Sequence, residues 1–201
     1  MIESLMCIGS ACEGHEFAKV LNLRSKGPVD NLHGEGFHVT VELFNGTFAK
    51  NINKMNFIPV ELPNPEKYHT LETGYKVGSF KIVHSDITQD KVYKEMLERI
   101  YLFNGYLIEA FENPNKYFLY TLNEKDRYYG RQELERLIKL LPKKILPQII
   151  ILQDRFINPA FTELFPSIIY ESEQEFWGTL GTWTAEQKLN DLISQYERIC
   201  Q

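Results

Sequence analysis

Residues 91–122 read KVYKEMLERIYLFNGYLIEAFENPNKYFLYTL, and two periodicities meet inside that stretch. Val92, Met96, Leu97, Ile100, Phe103, Leu107 and Phe111 recur at three- and four-residue steps, which predicts an amphipathic helix from about Thr88 to Phe111. Thr88 or Asp86 is placed to cap it. Asn113-Pro114-Asn115 stops the helix, and Tyr117 to Leu122 follows as a run of strand length and buried type. A helix handed straight to a buried strand is half of an α/β unit.

The same alternation continues outward. A second helix is predicted from about Gly130 to Leu141, stopped by Pro142, and Ile149 to Leu152 is another apolar strand. Ile168 to Tyr170 reads as a further strand and Ala185 to Ile199 as a terminal helix. Towards the start, Ser4-Leu5-Met6-Cys7-Ile8 is a short apolar run that stops at Gly9-Ser10, a buried strand and a tight turn. Phe17, Ala18, Val20 and Leu21 suit a short helix between Ala11 and Leu21. Strands alternating with helices argue for an α/β fold, a single domain over residues 1–201 with a mixed, partly parallel sheet flanked by helices.

Residues 22–75 are less regular and are expected to form part of a cleft. Gly27-Pro28 and His33-Gly34-Glu35-Gly36 punctuate them, and Val39, Val41 and Leu43 alternate as in a strand. Asn45-Gly46 is a hairpin-type signal. Pro59, Pro63 and Pro65 predict an irregular path from Asn56 to Tyr68, and Gly78 to Val83 reads as a strand ending at His84-Ser85-Asp86.

Composition narrows the function. The chain has 201 residues, 43% of them hydrophobic and 24% charged, a globular balance. With 22 Lys+Arg against 27 Asp+Glu the net charge is −5, which argues against a nucleic-acid footprint. No apolar run approaches the ~20 residues that span a bilayer, and Met1-Ile2-Glu3-Ser4 does not open a signal peptide. A cytoplasmic protein without membrane partners is the expectation. Cys7, Cys12 and Cys200 are an odd count without CxxC spacing, so they are expected as free thiols. Neither HxH nor HExxH is present, nor a GxGxxG or GxxxxGK[ST] loop, so no metal and no cofactor are expected.

Cys12, in Gly9-Ser10-Ala11-Cys12, is the candidate nucleophile. Its predicted position opens a helix just beyond a strand, where the positive end of the helix dipole favours thiolate and exposed N–H groups can face an oxyanion. The plainer reading makes it a small core residue. His84, at a predicted strand end, is the candidate base, and Asp86 is placed to orient it or to cap the long helix. His15 is a rival base three residues after Cys12, while His33 and His38 flank the glycine-rich turn. Ser10 lacks a GxSxG elbow, which leaves Cys12 the better nucleophile at neutral pH.

The segment Ile8-Gly9-Ser10-Ala11-Cys12-Glu13, followed by Leu21 to Arg24 and Gly27-Pro28-Val29-Asp30, resembles the opening of the bacterial DUF1796 family, described as papain-like cysteine peptidases. Cys12 matches the family's Cys, Pro28 and Asp30 match its Pro-Phe-Asp-Trp box, and His84 matches the His of its His-Asp pair. Val29 and Asn31 stand where the family has Phe and Trp, and Ser85 stands where its Asp follows the His. The resemblance implies a Cys-His site in an α/β protein and leaves the substrate open.

Three readings follow. The first is a Cys-His hydrolase or acyltransferase acting on an amide, ester or thioester of a small-molecule or peptide-like substrate. Cys12 would attack, His84 would carry the proton, Asp86 or Asp30 would orient His84, and the Cys12 N–H with Ser10 would face the oxyanion. The second is a non-catalytic α/β binding module for a small or sugar-bearing ligand. The third is a sugar-nucleotide or glycan-processing protein, using Gln153-Asp154-Arg155 at a strand end.

Overall fold

The computed structural model describes residues 2–9, 14, 18, 22–25, 32–33, 36–53, 57–63, 71–77, 80–82, 88–153 and 157–169. Nine strands are described: β1 (Ser4–Cys7), β2 (Arg24–Ser25), β3 (Leu32–His33), β4 (Ile58–Pro63), β5 (Leu71–Val77), β6 (Phe80–Ile82), β7 (Lys116–Thr121), β8 (Ile149–Gln153) and β9 (Ser167–Ile169). The helices are α1 (Phe37–Phe44), α2 (Thr47–Asn51), α3 (Gln89–Glu112), α4 (Arg131–Ile138) and α5 (Pro159–Leu164). The α/β fold is the one the alternation predicts. Its parallel and antiparallel pairings are divided between two sheets: a parallel sheet β2-β1-β7-β8-β9 and an antiparallel sheet β3-β6-β5-β4.

The parallel sheet explains the unbroken apolar runs. Every residue of β8 is buried, as are Leu5 to Cys7 of β1 and Phe118 to Thr121 of β7, because layers cover both faces. One face presents Met6, Ile8, Phe118, Tyr120, Ile149 and Ile151 to the main core. There Phe37 and Phe44 of α1 and Phe103 and Tyr106 of α3 meet β7 edge-on or tilted, with ring centroids 5.0 to 6.2 Å apart. Burying a ring of this kind contributes about 1.5–3 kcal/mol. On the other face a Cβ on Gly14 would lie 3.4 Å from Leu119 Cδ2. Of residues 11–21 only Gly14 and Ala18 are described, both helical.

Two polar side chains stitch the amino edge of this sheet. The Tyr106 hydroxyl lies 2.9 Å from Ser4 O and 3.0 Å from Tyr117 O, joining α3 to β1 and β7. Gln148 Nε2 lies 2.8–3.0 Å from the carbonyls of Ala110, Asn113 and Lys116, which answers acceptors left open where α3 ends.

The central helix agrees closely with its periodicity, running Gln89–Glu112 from Thr88 as N-cap. The second helix covers Arg131–Ile138 and the apolar strands fall at Ile149–Gln153 and Ser167–Ile169, while the predicted terminal helix lies outside the described residues. Residues 22–75 differ more. Val39, Val41 and Leu43 are helical: Phe37, Val41, Phe44 and Phe48 carry the helical step, and their burial outweighs the β preference of Val39, Thr40 and Val41. Asn45-Gly46 accordingly turns between two helices, with Gly46 at φ 75 opening α2. Asn56 to Tyr68 is not wholly irregular either, because Ile58–Pro63 pairs with Leu71–Val77. The strand tolerates Pro59 and Pro63 because β4 is the edge of its sheet. Phe80–Ile82 is a strand, within the predicted Gly78 to Val83. Among the described residues no helix is long and apolar enough to cross a membrane.

Candidate functional site

Because all strands of the main sheet are parallel, their carboxyl ends share one edge, the edge at which open α/β sheets bind ligands. β1 ends there at Cys7, β7 at Thr121 and β8 at Gln153, and two polar devices are built on those ends.

The first device centres on Asp126, which is fully buried at 0% exposure. It lies in a 3-10 turn, Glu124–Tyr128, that follows β7, and it shares a reciprocal capping box with Asn123. One carboxylate oxygen accepts the Phe37 N–H of α1 at 2.8 Å. The other accepts the Tyr120 hydroxyl and the Asn123 N–H, each at 2.8 Å. Burial pushes the carboxyl up to about 6, although the Asn123 N–H, the Tyr120 hydroxyl, the Phe37 N–H and the nearby His38 pull it down. Burial and the Asp126 charge together push the Tyr120 phenol well above its ordinary value.

Asn158 holds the rest of the turn. Its Nδ2 donates to Asp126 O at 2.7 Å and Tyr129 O at 3.0 Å, and its N–H donates to Gln153 Oε1 at 2.9 Å. Gln153 Nε2 in turn donates to Thr162 Oγ1 at 2.8 Å. Turn, strand end and α5 are thereby bonded into one unit. Tyr129 leaves this unit with its hydroxyl 2.7 Å from Nδ1 of half-buried His38, and burial pushes the phenol up to about 12. Gly36 makes the approach possible. Its φ is 122, and a Cβ there would lie 3.0 Å from the Tyr129 hydroxyl and 3.3 Å from Asp126 Oδ1. Gly36→Ala is therefore expected to lower the unfolding free energy by about 1–3 kcal/mol, read by urea denaturation.

The second device is at the end of β1. A Cβ on Gly9 would lie 2.7 Å from Thr121 N, and one on Gly14 would lie 2.5 Å from Thr121 Oγ1. The two glycines that bracket residues 10–13 are thus pressed against the carboxyl end of β7. Thr40 Oγ1 of α1 donates to Ile8 O at 3.0 Å and ties the same strand end to the helix that carries His38.

Of the residues singled out from sequence, Cys12, Ser10, Asp30, His84 and Asp86 lie outside the described residues, as does the rival His15. Cys7 is buried in β1, inside the first predicted strand. His33 lies in β3 of the antiparallel sheet, and His38 is placed at the carboxyl edge. Asp126, Asn158 and the partnership of Tyr129 with His38 were not read from sequence. The Asn123–Asp126 spacing of a capping box was the available signal. A cavity of about 430 Å³ lies at the opposite, amino edge, lined by Phe111, Pro114, Tyr117, Lys144, Pro147 and Gln148. Among the described residues no group of three or more His, Cys, Asp or Glu could hold a metal ion.

No family model, no curated protein and no solved structure matches the chain.

Proposed function

We propose that the chain is a thiol-dependent hydrolase or acyltransferase with Cys12 as nucleophile and His84 as base. The observation that carries the reading is the packing of Gly9 and Gly14, either side of Cys12, onto Thr121 at the carboxyl edge of a parallel sheet. That edge is where such sheets receive ligands, and side chains at Gly9 and Gly14 would break the fit. The resemblance to the DUF1796 family supports it through Cys12, Pro28, Asp30 and His84 in matching order.

In this reading the Cys12 thiolate attacks the carbonyl carbon of an amide, ester or thioester. The new C–S bond forms as the carbonyl electrons move to oxygen, faced by the Cys12 N–H and Ser10. His84, which took the thiol proton, returns it to the departing amine, alcohol or thiol. Asp86 or Asp30 orients the imidazole. Water or a second nucleophile then displaces the thiolate from the acyl-enzyme.

Incubation with an activated thioester followed by peptide mass spectrometry tests the reading. The expected result is an acyl adduct on the peptide carrying Cys12 and none on that peptide in Cys12→Ala. Acylation confined to Cys200, or no adduct with either protein, would contradict it and favour the non-catalytic binding module.

A further inference from the structure

The long helix α3 carries apolar residues on two faces, and the fold uses one of them. Val92, Met96, Ile100, Phe103, Tyr106 and Ala110 enter the core. On the outer face Leu97, Tyr101 and Ile108 are 43%, 77% and 63% exposed. Together with exposed Asn104 they follow steps of four, three and four residues. That is the spacing of a coiled-coil seam, on a surface where a solvated helix carries charged and polar residues. We infer that this stripe is the contact surface of a two-fold dimer, in which α3 packs antiparallel against α3 of a second copy of the chain.

Charge selects the second copy as the occupant and fixes its direction. Lys94 extends the stripe three residues before Leu97, and Glu112 extends it four residues after Ile108. Both are exposed, and neither forms an ion pair among the described residues. With the two-fold axis between Leu102 and Phe103, antiparallel pairing sets Lys94 of each protomer beside Glu112 of the other. Leu97 then meets Ile108, and Tyr101 meets Asn104, so each layer of the seam is answered by the same helix. Parallel pairing would instead oppose Lys94 to Lys94 and Glu112 to Glu112, and would align the two helix dipoles.

Gly105 gives this arrangement its room. Glycine is a poor helix former, yet this one lies inside a helix of 24 residues. A Cβ there would meet no atom within 4 Å among the described residues, so no described neighbour requires its absence. In the antiparallel pair Gly105 lies beside Asn104, opposite Tyr101 of the other protomer, where a missing side chain lets a bulky ring settle close to the backbone. Glu98 and Glu109 flank the stripe and oppose an anionic lipid surface as its partner. One helix about 36 Å long supplies an interface at the small end of the range. Association is therefore expected to be weak, with a dissociation constant of about 1 µM to 1 mM.

Sedimentation of the full chain from about 1 to 500 µM tests this, and the expected result is a concentration-dependent passage from monomer to dimer. Tyr101→Glu alters a side chain that the single chain leaves in solvent. It should weaken association by about tenfold or more while leaving the thermal melt of the dilute protein in place. Lys94→Glu and Glu112→Lys should each weaken association by about two- to tenfold at low salt. The double variant should return to the wild-type value, because the exchange restores both pairs. A chain that is monomeric at every concentration, or a dimer that Tyr101→Glu leaves intact, would overturn the inference. So would a double variant that associates no better than the single ones, since that excludes the antiparallel pairing. A monomer that sediments with phosphatidylcholine vesicles would assign the stripe to a lipid surface and overturn it as well.

Discussion

Asp126→Ala is expected to lower the unfolding free energy by about 3 kcal/mol or more, since three donors, two of them buried, lose their acceptor at about 1–3 kcal/mol each. Those donors are the Phe37 N–H, the Tyr120 hydroxyl and the Asn123 N–H. They belong to α1, β7 and the turn that follows β7, so the loss spreads through the carboxyl edge instead of remaining local. Total stabilities of about 5–15 kcal/mol make this a large fraction of the whole. Urea unfolding read by circular dichroism measures it, and a loss below about 1 kcal/mol would show that the carboxylate is not the hub described here.

The same group sets a pH dependence whose sign follows from its environment. Burial raises the folded carboxyl to about 6 from an ordinary 3.8. Between those values the folded chain holds more protons than the unfolded chain, so its stability falls as pH rises. The contribution of Asp126 is fully present below about 3.8 and is lost as pH passes through about 6, a span worth roughly 3 kcal/mol. Asp126→Asn keeps an acceptor for Phe37 but has no proton to release, and should flatten this part of the profile. An unchanged slope in that variant would assign the pH dependence to another group.

The second large effect concerns turnover. Cys12→Ala is expected to abolish acyl transfer, by about three orders of magnitude or more, because the alternative route through water lacks a covalent intermediate. It should leave the unfolding free energy within about 1 kcal/mol of wild type, as expected if the thiol serves chemistry and not packing. Full loss of activity together with a collapse of stability would make Cys12 a packing residue.

Legibility in the sequence followed a physical division. β7, β8 and α3 were readable because a strand buried on both faces is an apolar run and a half-buried helix shows its own period. α1 was misread because Val39, Val41 and Leu43 alternate as in a strand, while the helical repeat of Phe37, Val41, Phe44 and Phe48 spans the Asn45-Gly46 turn signal. β4 was hidden by Pro59 and Pro63, which its edge position tolerates. Asp126 could not be read as a hub, because Phe37 is 89 positions away and only the fold joins them. His38 was noted beside a glycine-rich turn, and its placement against Tyr129 needed a contact spanning 91 positions. Cys12 and His84 were singled out by chemistry and order along the chain, which is information of a different kind from packing.

The most direct measurement is the alkylation rate of Cys12 against pH, read by mass spectrometry with Cys7 and Cys200 as internal controls, in wild type and in His84→Ala. Cys7 is buried in β1 and should stay silent. The account predicts that Cys12 reacts rapidly well below the ordinary thiol value of about 8.5, and that this reactivity is lost when His84 is removed. A Cys12 that alkylates no faster than Cys200 at every pH, or is as silent as Cys7, would contradict the thiolate–imidazolium pair and with it the proposed chemistry.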